Sequence, residues 1–545
     1  MTELSAPAAQ RAQPRPEQVV GELLRGHAHA TPQRQFLTCG ASAFDFAALD
    51  ARTDAVAAGL AAAGVARGDR VAILCANRVE MLELFFAVAK LGAIQVPLNA
   101  YLKGEFLRYQ LADSRASALV VDASGHAAVA PLLADLPGLR LLVLLDEPAI
   151  DTAAPQIEVR RYTELPVSSP APVVEIAPTD LMSIVYTSGT TGNPKGCMLS
   201  HGYYTRAATL SGQMQELTVD DVLLTALPLF HGAARMLVLT AALVHGLPVV
   251  VEPDFRPTTF LARAAETGAT IANGVGAMGA ALLATPPSQH DRTHQLRAAI
   301  FVPFPAAMHT AFAQRFGVPT SSELFGQTEC VPITYSPLSD PGSSGSCGRP
   351  AADLEVELLD DDDRPVPTGA VGEICVRPRE PLAMFSGYWN NPEATLATFR
   401  TLWHHTGDYG RAERDGFIFF VDRKKDAVRR RGENVSTMEL EAAIAVHPAI
   451  AEAAAHAVPS DVTDDDIKVC VVLADSESIS PAEMFDFFKH HLPYFAIPRY
   501  VEIVDELPKN AVARVMKHVL RQRPMTYAVW DFDALGFTVA RSERR

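Results

Sequence analysis

"LMSIVYTSGTTGNPKGCMLSHGYY" (Leu181–Tyr204) runs from an apolar segment through a polar loop and back. Its centre, Tyr186–Gly196, packs three glycines, four Ser/Thr hydroxyls and one lysine into eleven residues. Glycines let backbone N–H groups approach an anion closely, and hydroxyls and an ammonium add donors, so the stretch suits a phosphate. It is not the usual G-x-x-x-x-G-K-[ST] loop: Gly189, Gly192, Lys195 and Gly196 are spaced differently, and no Ser or Thr follows the lysine. A Gly/Ser/Thr string on its own reads as a linker, but this one is anchored on both sides by "LMSIVY" and "MLSHGYY".

Outward from that loop the pattern is strand, helix, strand. "RVAILCAN", "IQVPLN" and "ALVVDA" are short apolar runs, separated by helically spaced stretches such as "RVEMLELFFAVAKLGA". The rhythm returns through "DVLLTALPLF", "GLPVVVE" and "TIANGV". Strands alternating with helices of this length predict βαβ units and parallel sheet. From "LEVELLDDDDRPVPTGAVGEICVRP" the runs shorten and turn residues multiply, which predicts a small β subdomain, with the acidic run Asp360–Asp363 as a solvated turn. After "DGFIFFVDRKKD", the segments "TMELEAAIAVHPAI", "KVCVVLA", "PAEMFDFFKHHL" and "RYVEIVDELP" suffice for a second α/β domain. The expected organisation is a disordered N-terminus over 1–16, a large domain over 17–424, a small domain over 425–527 and a tail over 528–545.

A chain of 545 residues exceeds one ordinary core, so more than one domain is required. A formal charge of −16 argues against a nucleic-acid partner. No stretch is apolar enough to span a bilayer, and the N-terminus lacks the core of a signal peptide. Seven scattered cysteines without a C-x-x-C pair read as reduced thiols in a cytoplasmic enzyme.

Four strings now fall together. "YTSGTTGNPKG" resembles the phosphate-binding signature of the adenylate-forming superfamily. "ELFGQTE" (Glu323–Glu329), "HTGDYG" (His405–Gly410) and "VDRKKDAVRRRGENVS" resemble its later motifs, in the same order over about residues 20–520. The wording, with "GYWNNPEAT" and "RRRGENVS", is most similar to carnitine/crotonobetaine-type CoA ligases. The resemblance implies an α/β fold with a large N-terminal ATP- and acid-binding domain and a smaller, mobile C-terminal domain. It also implies a first reaction that joins an acid to ATP as acid–AMP and pyrophosphate, with Mg²⁺ as cofactor and CoA or a carrier protein as acceptor.

Roles carry over residue by residue. Thr187, Ser188, Gly189, Thr190, Thr191, Gly192 and Lys195 would embrace the β- and γ-phosphates. Thr328 would bond the α-phosphate and Glu329 would hold Mg²⁺, an ion that seeks carboxylate oxygen. Phe325 would lie against adenine, with Gly326 leaving room for the ring. Asp408 would take both ribose hydroxyls and Arg423 would add a contact. His231 would stand beside the acid, in a pocket with Gly274, Met278, Phe304 and Gly326. Lys425 falls at the hinge and Gly432 at the pantetheine entrance.

Two positions depart from the family pattern. The C-terminal motif, roughly L-P-K-T-x-x-G-K, reads "LPKNAVAR" here, so Arg514 stands where a lysine bridges acid and α-phosphate. Arg spreads its charge over a planar fork, so the swap is not conservative. The second is "AAIFVPFPAAM" (Ala298–Met308), where relatives carry a glycine-rich wall. Phe304 either narrows the pocket there or turns into the core. The leading expectation is an ATP- and Mg²⁺-dependent ligase that activates a small or aromatic acid and passes it to CoA. A diazotase-type enzyme that activates nitrite for an aryl amine, and a non-catalytic nucleotide-binding relative, are the alternatives.

Overall fold

The structure is a computed structural model that describes residues 18–146, 156–165, 167, 171–187, 194–340, 342, 345–424, 428–430, 433–435, 437–460, 465–492, 496–509, 515–526 and 528–539. The chain divides into two compact units. One takes the chain up to Val356 with Val376–His404 and Gly416–Ile418; the other takes Glu357–Cys375, His405–Asp415 and the chain from Phe419.

The first unit holds two seven-stranded sheets. One orders Glu158–Arg161, Leu141–Leu144, Ala118–Val121, Arg70–Leu74, Ile94–Pro97, Leu181–Thr187 and Lys195–Ser200. All its neighbours are parallel except the last pair, which forms an antiparallel hairpin around the glycine-rich loop. The strands Ile94–Pro97, Ala118–Val121 and Leu141–Leu144 are buried along their whole length, as parallel strands covered on both faces must be. The second sheet orders Thr320–Ser321, Ala298–Phe301, Ile271–Gly274, Leu223–Thr225, Val249–Val251, Gln35–Cys39 and Ser42–Asp45, antiparallel only at the last pair.

Helices Phe46–Ala62 and Val79–Lys90 fall where the helical spacing places them, the first capped by the Asp45 carboxylate on the Ala48 N–H at 2.7 Å. A three-stranded sheet, Leu324–Gln327, Cys330–Tyr335 and Arg349–Pro350, carries the "ELFGQTE" motif on its first hairpin. A four-stranded sheet orders Leu354–Leu359, Val371–Pro378, His404–Ala412 and Ile418–Arg423.

In the second unit Ile450–Pro459, Asp465–Leu473, Tyr500–Ile503 and Val529–Asp531 form a sheet with helices Thr437–Ile444, Pro481–His491 and Lys517–Arg521. The expected tail over 528–545 is corrected for its described residues. Val529–Asp531 pairs antiparallel with Tyr500–Glu502, and Phe532 packs against Phe485 and Phe488. A strand there satisfies an otherwise open sheet edge, and the phenylalanine closes the core. The expected N-terminal segment, 1–16, lies outside the described residues. No helix among the described residues is long and apolar enough to cross a membrane.

Candidate active site

The hairpin Leu181–Thr187/Lys195–Ser200 pairs Thr187 with Lys195, Tyr186 with Gly196 and Val185 with Cys197, so both arms of the glycine-rich loop end at a fixed point. Ser188, Gly189, Thr190, Thr191 and Gly192 themselves lie outside the described residues. Gly196 is obligatory: a Cβ there would stand 2.6 Å from Ile184 Cγ2. The free side of strand Lys195–Ser200 is covered by residues 386–389. Ser386 N–H donates to Met198 C=O at 2.8 Å, Met198 N–H to Gly387 C=O at 3.0 Å, and Trp389 N–H to Gly196 C=O at 2.8 Å. This contact delivers Tyr388. Its hydroxyl donates to Glu329 Oε1 at 2.7 Å, and the Lys195 ammonium stands 4.8 Å from its ring centre. Burial and the Glu329 charge push the Tyr388 hydroxyl well above its ordinary value, so it stays a donor.

Thr328 and Glu329 form the turn of the hairpin Leu324–Gln327/Cys330–Tyr335. Helix His201–Met214, which leaves the glycine-rich hairpin directly, grips that turn. The Tyr203 hydroxyl donates to Thr328 C=O at 3.1 Å and accepts from Val331 N–H at 2.8 Å. Arg206, fully buried, forks onto both oxygens of Asp353 at 2.8 Å each, and its remaining nitrogen donates to the carbonyls of Val331 and Pro332 at 2.9 and 3.1 Å. Glu329 is 8% exposed, and its own carbonyl accepts from Phe385 N–H at 2.9 Å. Phe325 is buried opposite Thr334. Gly326 is needed for the hairpin itself, since a Cβ would lie 2.8 Å from Val331 Cγ2 and 3.0 Å from Cys330 O.

The structure therefore gathers Thr187, Lys195, Thr328 and Glu329 through three residues that sequence reading passed over: Tyr388, Tyr203 and Arg206. The signal for Tyr388 was present in "GYWNNPEAT". For Tyr203 and Arg206, neither spacing nor composition marked them. A single buried carboxylate, oriented by a phenol and set beside a phosphate-type loop, is a donor set that suits Mg²⁺, which commonly takes one or two carboxylates together with substrate phosphates.

His231 follows Phe230 with ring centres 4.5 Å apart, and its N–H bonds Pro228 C=O at 3.0 Å. Its Nε2 is buried and finds no hydrogen-bond partner among the described residues. Burial lowers its pKa, so the ring is a neutral imidazole. It leads into a π-helical segment, Ala234–Leu239, a form concentrated at functional sites. At Gly274 a Cβ would meet the Phe301 ring at 3.0 Å and Met278 Sδ at 3.1 Å, so Gly274 and Met278 are packed against one another.

Of the two placements open to Phe304, the structure shows the inward one. It is 5% exposed and turned into the core, with ring centres 5.4 Å from Phe301, 5.1 Å from His309 and 6.2 Å from Phe312. The glycines of "GVGAMG" admit it: a Cβ on Gly279 would stand 2.7 Å from the Phe304 ring, and one on Gly276 1.8 Å from Pro303 O. The bulk at 304 is thus absorbed by absent side chains on helix Gly276–Ala284 rather than spent on a pocket wall.

In the second unit Asp408 is buried, and Arg423 Nε lies 3.6 Å from its Oδ1. Asp422 accepts from Arg423 N–H at 2.7 Å and from the N–H and hydroxyl of Thr437 at 2.6 and 2.7 Å. Thr437 is also bonded by Lys517, whose ammonium pairs with Glu441 at 2.8 Å. The acidic run forms an exposed turn, as expected, and Asp361 Oδ1 in it lies 2.8 Å from Lys424 Nζ. Lys425, Gly432 and Arg514 lie outside the described residues.

Comparison with known proteins gives a consistent result. The sequence pattern described as AMP-binding enzyme matches residues 24–389, and that of the AMP-binding enzyme C-terminal domain matches residues 439–514. The chain is 34% identical over 467 residues to the crotonobetaine/carnitine–CoA ligase of Escherichia coli O139:H28, covering 84% of this chain and 89% of that one. Among solved structures it resembles the anthranilate CoA ligase AuaEII in complex with anthranoyl-AMP, with a TM-score of 0.81 and 25% identity over 93% of this chain and 97% of that one. It also resembles ATP-bound MatB from Rhodopseudomonas palustris, with a TM-score of 0.80 and 27% identity over 92% of this chain and 98% of that one. O-succinylbenzoate CoA synthetase from Bacillus subtilis with AMP gives a TM-score of 0.79 and 27% identity over 93% and 99%.

Proposed function

The chain belongs to the AMP-binding enzyme family, and on that premise we propose that it condenses a small or aromatic carboxylic acid with ATP and then transfers the acyl group to CoA. In the first step a carboxylate oxygen of the acid bonds to the α-phosphorus, and the bond from that phosphorus to the bridging oxygen breaks, releasing pyrophosphate. In the second the CoA sulfur takes the acyl carbon, AMP leaves, and the thiol proton goes to solvent. The observation that carries this reading is the convergence of Lys195 and Glu329 on Tyr388 at the mouth of the glycine-rich hairpin.

In that arrangement Thr187 and Lys195 face the polyphosphate and Thr328 the α-phosphate. Glu329 would hold Mg²⁺, which when bound neutralises charge on the phosphate oxygens. Catalysis of such a transfer is mostly positioning and electrostatic stabilisation, and fixed donors serve it without reorganisation. His231, neutral and with an unpaired ring nitrogen, is suited to hydrogen-bond or pack beside the acid. Asp408 and Arg423 hold the ribose, Arg514 takes the bridging role of the family's lysine, and Lys425 and Gly432 serve the transfer half.

The test is pyrophosphate release from ATP over a panel of aliphatic and aromatic acids, followed by CoA-dependent release of AMP. Three of the relatives above are named as CoA ligases or synthetases, which favours a thioester product. Nitrite with an aminoarene belongs in the same panel, and AMP release with that pair alone would replace the acid–CoA reading. Absence of pyrophosphate release with every acid and with nitrite would leave only nucleotide binding.

A further inference from the structure

We propose that Glu373 is a positioning residue for the ribose end of the site, setting at once the turn that presents Asp408 and the strand end that presents Arg423. The inference rests on the reading of Asp408 as the ribose acceptor.

Three hydrogen bonds form a closed circuit. Gly407 N–H donates to Glu373 Oε1 at 3.0 Å, Lys424 N–H donates to Gly407 C=O at 2.9 Å, and the Lys424 ammonium returns to Glu373 Oε2 at 3.1 Å. One carboxylate therefore ties together two segments that lie apart in sequence. Asp408 follows Gly407 and Arg423 precedes Lys424, so each ribose residue is one position from an anchored one.

The turn needs such an anchor. Gly407 adopts φ +71°, a left-handed backbone that does not hold itself. Its other brace is Thr406, whose hydroxyl donates to Ile374 C=O at 2.7 Å and accepts from Asp408 N–H at 3.2 Å. Lys424 has a second carboxylate, Asp361, at 2.8 Å, which gives the acidic run a structural purpose. Glu373 is 4% exposed, so its interactions act with little screening by water. Burial alone would raise its pKa, but the hydrogen bonds from His405 and Lys424 outweigh it and hold the carboxyl below its ordinary value.

Glu373, Cys375 and His405 also bring an oxygen, a sulfur and a nitrogen within 4.8 Å of one another, the donor set of a soft-metal site. The Lys424 ammonium already occupies the Glu373 carboxylate, so the protein supplies the positive charge that a cation would bring.

The experiment measures binding of AMP, 2′-deoxy-AMP and 3′-deoxy-AMP to the full chain by titration calorimetry, so no acid need be known. The wild type should prefer AMP over each deoxy nucleotide by about tenfold. Glu373→Gln keeps the acceptor for Gly407 N–H but removes the charge that holds Lys424. The preference should fall to about twofold while affinity for the deoxy nucleotides changes little, a pattern general damage would not produce. Lys424→Met, at a half-exposed site, should move the ratio in the same direction, and it decides the matter if Glu373→Gln does not fold. A folded Glu373→Gln or Lys424→Met protein with the wild-type ratio overturns the positioning role. A wild type that does not discriminate overturns the Asp408 reading and this inference together.

Discussion

At Tyr388 one hydroxyl is set against a buried carboxylate and one ring against an ammonium, and the two contacts can be separated. Tyr388→Phe keeps the ring beneath Lys195 and removes only the donor to Glu329. A hydrogen bond to a charged group contributes about 1.5–3 kcal/mol, so the Mg²⁺ concentration for half-maximal pyrophosphate release should rise about tenfold or more, with little change in Tm. An unchanged Mg²⁺ response would detach Tyr388 from the metal-binding role proposed for Glu329. Phe304 makes the opposite kind of prediction. Because its ring fills space between two helices, Phe304→Ala should cost about 3–5 kcal/mol of stability and leave the ranking of acids unaltered. A shift in that ranking would return Phe304 to the pocket. These residues also show where sequence reading stops. Lys195, Thr328 and Glu329 were legible because each sits inside a short string whose chemistry is local. Tyr388 acts on Glu329 from 59 positions away, and the space for Phe304 is made by glycines on another helix, so neither could be inferred from its own neighbours.

At the scale of elements, helix His201–Met214 does more than follow a strand. It begins where the glycine-rich hairpin ends, and through Tyr203 and Arg206 it fixes the turn that carries Thr328 and Glu329. Arg206 and Asp353 are both almost fully buried, so removing either leaves a charge without its partner in a medium that solvates it poorly. Arg206→Met should therefore destabilise the protein by about 3–5 kcal/mol, and the double variant with Asp353→Leu should recover part of that loss. Denaturant melts of the two variants and the parent check it, and a double variant less stable than Arg206→Met would show that the pair is not the source. The parallel strands were readable as apolar runs between helical spacings, since burial on both faces leaves a simple pattern. The second unit was less readable, because it collects Glu357–Cys375 and His405–Asp415 from outside the run that begins at Phe419. No periodicity marks a segment for packing with a distant stretch of chain.

Across the whole molecule, each unit carries a buried histidine that is neutral in the folded state. His201, in the first unit, accepts Val20 N–H on Nδ1 at 3.4 Å, and burial pulls its pKa down to about 4. His456, in the second, is likewise lowered to about 4, by burial first and then by Lys468 and other nearby cations. Both fall below the usual value near 6.5, so the unfolded chain binds protons that the folded chain refuses. Stability from these groups is fully present above about pH 6.5 and is lost as pH falls toward 4, at a cost on the order of a few kcal/mol for each histidine. Asp221 responds in a lower window. Burial opposes its ionisation, but Arg297, Thr218 and Thr270 hold its pKa at about 2, so its contribution survives until the pH drops below about 4. Scanning calorimetry between pH 7.5 and 4.5 should therefore show the melting of both units shifting downward well before carboxylates protonate. His456→Gln removes a proton acceptor of the second unit, so the transition of that unit should become less pH-dependent while that of the first keeps its slope. A profile that stays flat from pH 7.5 to 5 in the parent protein would show that these imidazoles take up protons in the folded chain as readily as in the unfolded one, and that their burial is less complete than the packing implies.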